Sequence, residues 1–169
     1  MFSTKRNVIA MALMSVLATS AMAVDVPISG DVESKCIIQT DTQGVFGNPT
    51  PSTLSSSPAN GGLDPIVRFD VIIADYYKAR LTTPSSFSSS PVLTDIVNWT
   101  GTVTVNEVSD PAMSAYSTSK VEYDNVTEID MSIAGSTWFK ISSTADYGYG
   151  KALPAGTYNA VVQAECIAL

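Results

Sequence analysis

The chain has 169 residues, with 9 Lys and Arg against 16 Asp and Glu and no histidine, a formal charge of −7. An acidic surface repels phosphate backbones and anionic lipid heads, which disfavours nucleic-acid and membrane-surface partners. The absence of histidine removes the usual general base for Ser or Cys nucleophiles and the commonest metal ligand, so no catalytic residue, metal ligand or cofactor is assigned.

In chain order, Lys5 and Arg6 form a positive start, Val8 to Leu17 an apolar stretch too short to span a bilayer, and Ala21-Met22-Ala23 an A-x-A cleavage pattern. Residues 1–23 therefore read as a secretory signal, with the mature chain beginning at Val24. The alternative is an uncleaved anchor, against which no stop-transfer pattern follows and no Cys stands just after the cut. Removing 23 of 169 residues leaves 146, one domain's worth, and losing two positive charges moves the formal charge from −7 to −9. The expected location is outside the inner membrane, with no membrane insertion after cleavage.

From Val24 the residues alternate, Val24, Val26, Ile28, Gly30 and Val32 against Asp25, Pro27, Ser29, Asp31 and Glu33, the period of a strand with one buried face. Residues 24–34 are read as an N-terminal extension and 35–169 as the folded domain. Pro27 has no N–H for a ladder, which places such a strand at an edge or makes it a late arrival. Alternation returns at Val67–Ile73, Trp99–Val105, Val121 and Tyr123, Ile129–Ile133, Phe139 and Ile141, and from Tyr158 to Cys166. Asn48–Gly62 and Thr82–Pro91, rich in Ser, Pro, Gly and Asn, read as exposed loops, and Asp110–Ser119 offers one weak helical turn. Short strands at this spacing predict an all-β fold, an immunoglobulin-like β-sandwich.

Cys36 and Cys166 are the two cysteines, and an even count in an exported chain predicts one disulfide joining the first and last strands. Two buried free thiols are the alternative. Closing a loop of 130 positions is worth at most roughly 5 kcal/mol in the loop-entropy account.

Other constellations have plainer readings. The many carboxylates would supply a pair for glycoside hydrolysis, but acids solvating a sandwich explain them as well. Asp124, Glu128 and Asp130 lack the D-x-[DN]-x-[DN]-G spacing of a calcium loop and read as a solvated turn. Tyr77, Tyr116, Tyr147 and Tyr149 are candidates for a sugar-binding face or, more simply, for packing. Asn98-Trp99-Thr100 and Asn125-Val126-Thr127 fit a glycosylation sequon short enough to arise by chance.

A signal peptide, the alternating start AVDVPISGDV, a Cys soon after it, and the ending LPAGTYNAVVQAECIAL with Pro154, Gly156, Tyr158, Ala160 and Val162 together resemble the pilins of bacterial chaperone-usher fimbriae. The resemblance implies a sandwich that lacks its final strand and is completed by donor-strand exchange. It implies that Val24, Val26, Ile28, Gly30 and Val32 enter a neighbour's groove, and that Tyr158, Ala160, Val162 and Ala164 flank the groove on the C-terminal strand. The partners it implies are identical subunits in a surface filament, with a periplasmic chaperone and an outer-membrane usher in transit. The function it implies is a non-enzymatic fibre subunit supporting adhesion or biofilm. Two alternatives stand: residues 24–33 as the domain's own first strand, and the whole as a monomeric secreted or periplasmic sandwich that binds a glycan or protein.

Overall fold

A computed structural model describes residues 27–30 and 35–169. The chain divides into two units, Met1–Val32 and Glu33–Leu169. The second is a sandwich of two antiparallel sheets, as the alternation predicts.

The first sheet is organised around β9 (Gly135–Asp146), whose alternate residues Thr137, Phe139, Ile141, Ser143 and Ala145 point inward and are buried. Along one edge of β9 runs β6 (Asn98–Val108). Along the other lie β4 (Ile66–Val71), paired with Gly135–Lys140, and β3 (Thr53–Ser55), paired with Thr144–Asp146. The gap between them is bridged by Ile141 N donating to Pro65 O and by Ser56 N donating to Ser143 O. Outside β4 lies β1 (Cys36–Thr42), and outside β3 lies β2 (Gly47–Thr50).

The second sheet runs β10 (Gln163–Ala168), β5 (Tyr77–Thr82), β8 (Val126–Asp130), β7 (Val121–Tyr123). Between the sheets Phe69 and Phe139 meet edge to face at 5.5 Å, surrounded by Leu81, Val103, Ile129 and Ile141 with no exposed surface or almost none. The segment Asp110–Ser119 does turn helically, as a 3₁₀ turn (Pro111–Ala115) capped by Asp110 and a short helix α1 (Tyr116–Ser119). It sends Met113 and Tyr116 into the core.

Two expectations need correction. Asn48–Gly62 is no loop: it holds β2, β3 and a 3₁₀ turn (Pro58–Asn60), and Leu54, Ser55 and Ser56 are buried. Its serines tolerate burial because they are bonded, Ser55 Oγ to Thr144 Oγ1 at 3.0 Å and Ser56 Oγ to Asp64 Oδ1 at 2.7 Å. The C-terminal strand starts at Gln163, so Tyr158, Ala160 and Val162 precede it. Its partner runs out: Gln163 faces Thr82, and the next residue whose N–H would point towards the C-terminal segment is Pro84, which has none to give.

The seven-strand immunoglobulin arrangement packs strands A, B, E and D against C, F and G. Here β1, β4, β9 and β6 stand as A, B, E and D, while β5 and β10 stand as C and F, with the β7–β8 hairpin on the far side of β5. Among the described residues no strand occupies the place of G, beside the outer edge of β10.

Candidate functional site

The free edges of β1 and β10 meet at a disulfide between Cys36 and Cys166, whose Cα atoms are 6.3 Å apart. This is the pairing that the cysteine count predicts. β1 starts at the bond and runs away from it, whereas β10 runs towards it. Away from the bond, between Thr40–Phe46 on one side and Gly156–Val162 on the other, lies a groove of about 620 Å³. Leu54 and Val67 supply apolar floor, and Ser56 and Ser143 supply polar floor. Ser143 Oγ is buried and, among the described residues, has no hydrogen-bond partner. A hydroxyl in that state favours an occupant that brings a polar group to it.

The groove's mouth is aromatic. Phe46 and Tyr158 line it, and Phe87 packs edge to face with Tyr158 at 5.0 Å and with Trp99 at 4.8 Å. These rings hold the irregular 83–97 segment against the mouth. Bridging hydrogen bonds between Ser89 and Asn159 reinforce that hold, with Asn159 N donating to Ser89 O at 2.9 Å. Trp99 is therefore engaged in ring packing with Phe46 and Phe87.

Of the residues singled out in the sequence, Tyr158, Ala160 and Val162 line the groove, and Ala164 lies in β10 opposite Leu81 and packs on the core. Val24, Val26 and Val32 lie outside the described residues. Ile28 is 97 % exposed and Gly30 is also exposed, and Pro27 to Gly30 belong to no strand. The four tyrosines share no face: Tyr116 is in the core, Tyr147 is buried with its hydroxyl on Thr94, Tyr149 is fully exposed, and Tyr77 opens β5. Thr40, Val45, Phe46 and Leu54 were not legible as groove residues, because they stand in stretches without period-two alternation.

Charge gathers elsewhere, on the outward face of the second sheet. Glu128 accepts from Lys78 Nζ at 2.9 Å, Arg80 Nη2 at 2.7 Å and Tyr123 Oη at 2.9 Å. These donors, Lys78 first, hold the Glu128 carboxyl down from 4.5 to about 2, and the same bonds raise Lys78, Arg80 and Tyr123. The candidate calcium residues are thus divided, Glu128 in this network and Asp124 in the β7–β8 turn at φ 52°. Among the described residues no group of three His, Cys, Asp or Glu side chains is placed to hold a metal, and no helix is long and apolar enough to cross a membrane.

Comparison of the chain with protein-family models, curated proteins and solved structures finds no match.

Proposed function

We propose that this chain is a structural subunit of a surface fibre, exported across the inner membrane, in which residues 24–32 of one copy complete the sandwich of the next. The observation that carries this reading is the combination, among the described residues, of a strand position left empty beside β10 and a groove just ahead of that strand, along Gly156 to Val162. A strand added there gains main-chain hydrogen bonds from the free edges and pockets for its alternate side chains. The segment Val24–Val32 has the matching alternation, and it is borne on the chain itself.

Burying Val24, Val26, Ile28 and Val32 at about 1.5–3 kcal/mol each is worth on the order of 6–12 kcal/mol before ordering costs, enough for a lasting non-covalent contact. A donor segment that enters a groove unlike itself makes a heterologous contact, which propagates into an open filament when no rotation closes a ring. A groove of this kind also needs cover before assembly, which is the task of a periplasmic chaperone, with an outer-membrane usher delivering the subunit. The role is packing and strand pairing in adhesion or biofilm, without catalysis.

Gel filtration and negative-stain microscopy of the mature chain, beside a variant lacking residues 24–33, test the proposal. Fibres from the first and a folded monomer from the second are expected. A stable monomer from the full chain, unfolded by the deletion, would make the segment the domain's own strand and turn the reading to a lone binding module.

A further inference from the structure

We infer that a second cleft, between the start of β6 and the β7–β8 turn, binds a neutral pyranose sugar through Trp99 and Asp124. The cleft is formed within one copy and uses no residue of the segment 24–32, so the inference stands apart from the fibre reading.

The cleft lies among the chain that follows β5, the first residues of β6 and the turn at Asp124 and Asn125, and its volume is about 470 Å³. Small organic ligands occupy sites of roughly 300–1,000 Å³. Its walls are set before a ligand arrives. Thr83 N donates to Asn125 O at 2.8 Å, Thr83 Oγ1 donates to the same oxygen at 3.2 Å, and Asn125 Nδ2 donates to Thr83 O at 2.8 Å. These bonds tie the β7–β8 turn to the end of β5. Gly101 lets Thr83 seat against β6, because a Cβ at position 101 would lie 2.5 Å from the Thr83 Cβ. A preformed cleft spends little binding energy on ordering its walls.

Asp124 stands in the turn at a cost. Its φ of 52° lies in the left-handed region, which glycine enters without steric penalty and other residues do not. Its side chain is exposed and, among the described residues, makes no hydrogen bond or ion pair, so no contact within the fold offsets that cost. The carboxylate lines the cleft instead.

The lining selects the ligand class. Trp99 is partly exposed and presents ring surface to the apolar C–H face of a sugar. The Asp124 carboxylate accepts from hydroxyls, and the Ser85 and Thr100 hydroxyls, unbonded among the described residues, donate or accept. A pyranose, with an apolar face and a rim of hydroxyls, meets all of these groups at once. A uronic or sialic acid would set its own carboxylate against Asp124 and against a mature chain of formal charge −9. A simple cation would satisfy Asp124 and Trp99 but leave the hydroxyls unused.

The test uses the mature chain carrying Trp138→Phe, which leaves Trp99 as its one tryptophan. Methyl glycosides of glucose, galactose, mannose and N-acetylglucosamine are titrated separately while Trp99 fluorescence is followed, beside N-acetylneuraminic acid and Nα-acetyl-lysine amide. Saturation-transfer NMR reports which ligand protons touch the protein. A saturable change with at least one neutral glycoside is expected, with the strongest transfer at C–H protons of one ring face and no response to the acid or the cation. Asp124→Gly is expected to weaken that binding by about tenfold without lowering the melting temperature, since it removes both the carboxylate and the backbone strain. Ser85→Arg, at an exposed position, is expected to block the cleft and decides alone if Asp124→Gly fails to fold. No saturable response to any of the neutral glycosides, a response to the acid or the cation only, or binding undiminished in both variants would overturn the inference and leave the fibre reading standing.

Discussion

Among the described strands, the sheet edges at β7 and β6 are treated differently from those at β1 and β10. The edge at β7 is three residues long, exposed, and carries the Lys120–Glu122 ion pair. The edge at β6 is long, but it is bent by a bulge between Val105 and Glu107, and Lys120 Nζ donates to the Val103 carbonyl at 2.8 Å. Short length, charge and bulges are how proteins keep a sheet edge from pairing with another chain. The edges at β1 and β10 meet at the disulfide, and the segments that continue from them, Thr40 to Phe46 and Gly156 to Val162, wall the groove and carry one charge, that of Asp41. The edges at β7 and β6 carry such devices, and the walls of the groove do not.

Deleting residues 24–33 is expected to abolish polymers and leave a monomer, read by sedimentation velocity. Next in size, Phe139→Ala removes a fully buried ring from the β9 core and is expected to cost about 3–5 kcal/mol, measured by urea unfolding. Val162→Asp should do the reverse, lowering stability little, because Val162 is only partly packed on the core, while stopping assembly by putting a charge in the groove.

A smaller effect is expected at the defended edge. Lys120→Ala frees the Val103 carbonyl and should cost about 1 kcal/mol, and it should also give lateral aggregates visible by light scattering in the variant lacking residues 24–33. The smallest effect is at Glu128. Its carboxyl is held down to about 2 in the fold, so its contribution is fully present above about 4.5 and is lost as pH falls towards 2. Between those pH values the melting temperature of the native chain should fall more than that of Glu128→Gln.

Period-two alternation made β4, β6 and β9 legible, while the alternation read at Ile129, Met131 and Ile133 overlaps only the end of β8, which runs Val126–Asp130. It missed β5, where the inward residues are Tyr77, Ala79 and Leu81 and the outward Lys78 and Arg80 are satisfied by Glu128, 50 and 48 positions away. A cross-strand ion pair leaves no trace in the local pattern of either strand. It missed β3 because the buried Ser55 and Ser56 read as loop until their partners Thr144 and Asp64 are in place. Tyr158, Ala160 and Val162 read as part of the last strand, whereas they precede β10 and line one wall of the groove. The opposite wall, at Thr40 to Phe46, lies where the chain leaves its ladder with β4, and only the fold brings it across from Tyr158.

Returning the segment in trans tests whether the groove takes residues 24–32 of another copy. The variant lacking residues 24–33 would be titrated with a peptide of residues 24–33 while its thermal unfolding is followed. Saturable binding and a rise in melting temperature are predicted, both lost when the peptide carries Ile28→Asp. A melting temperature unmoved by the native peptide would mean that the groove does not take this segment.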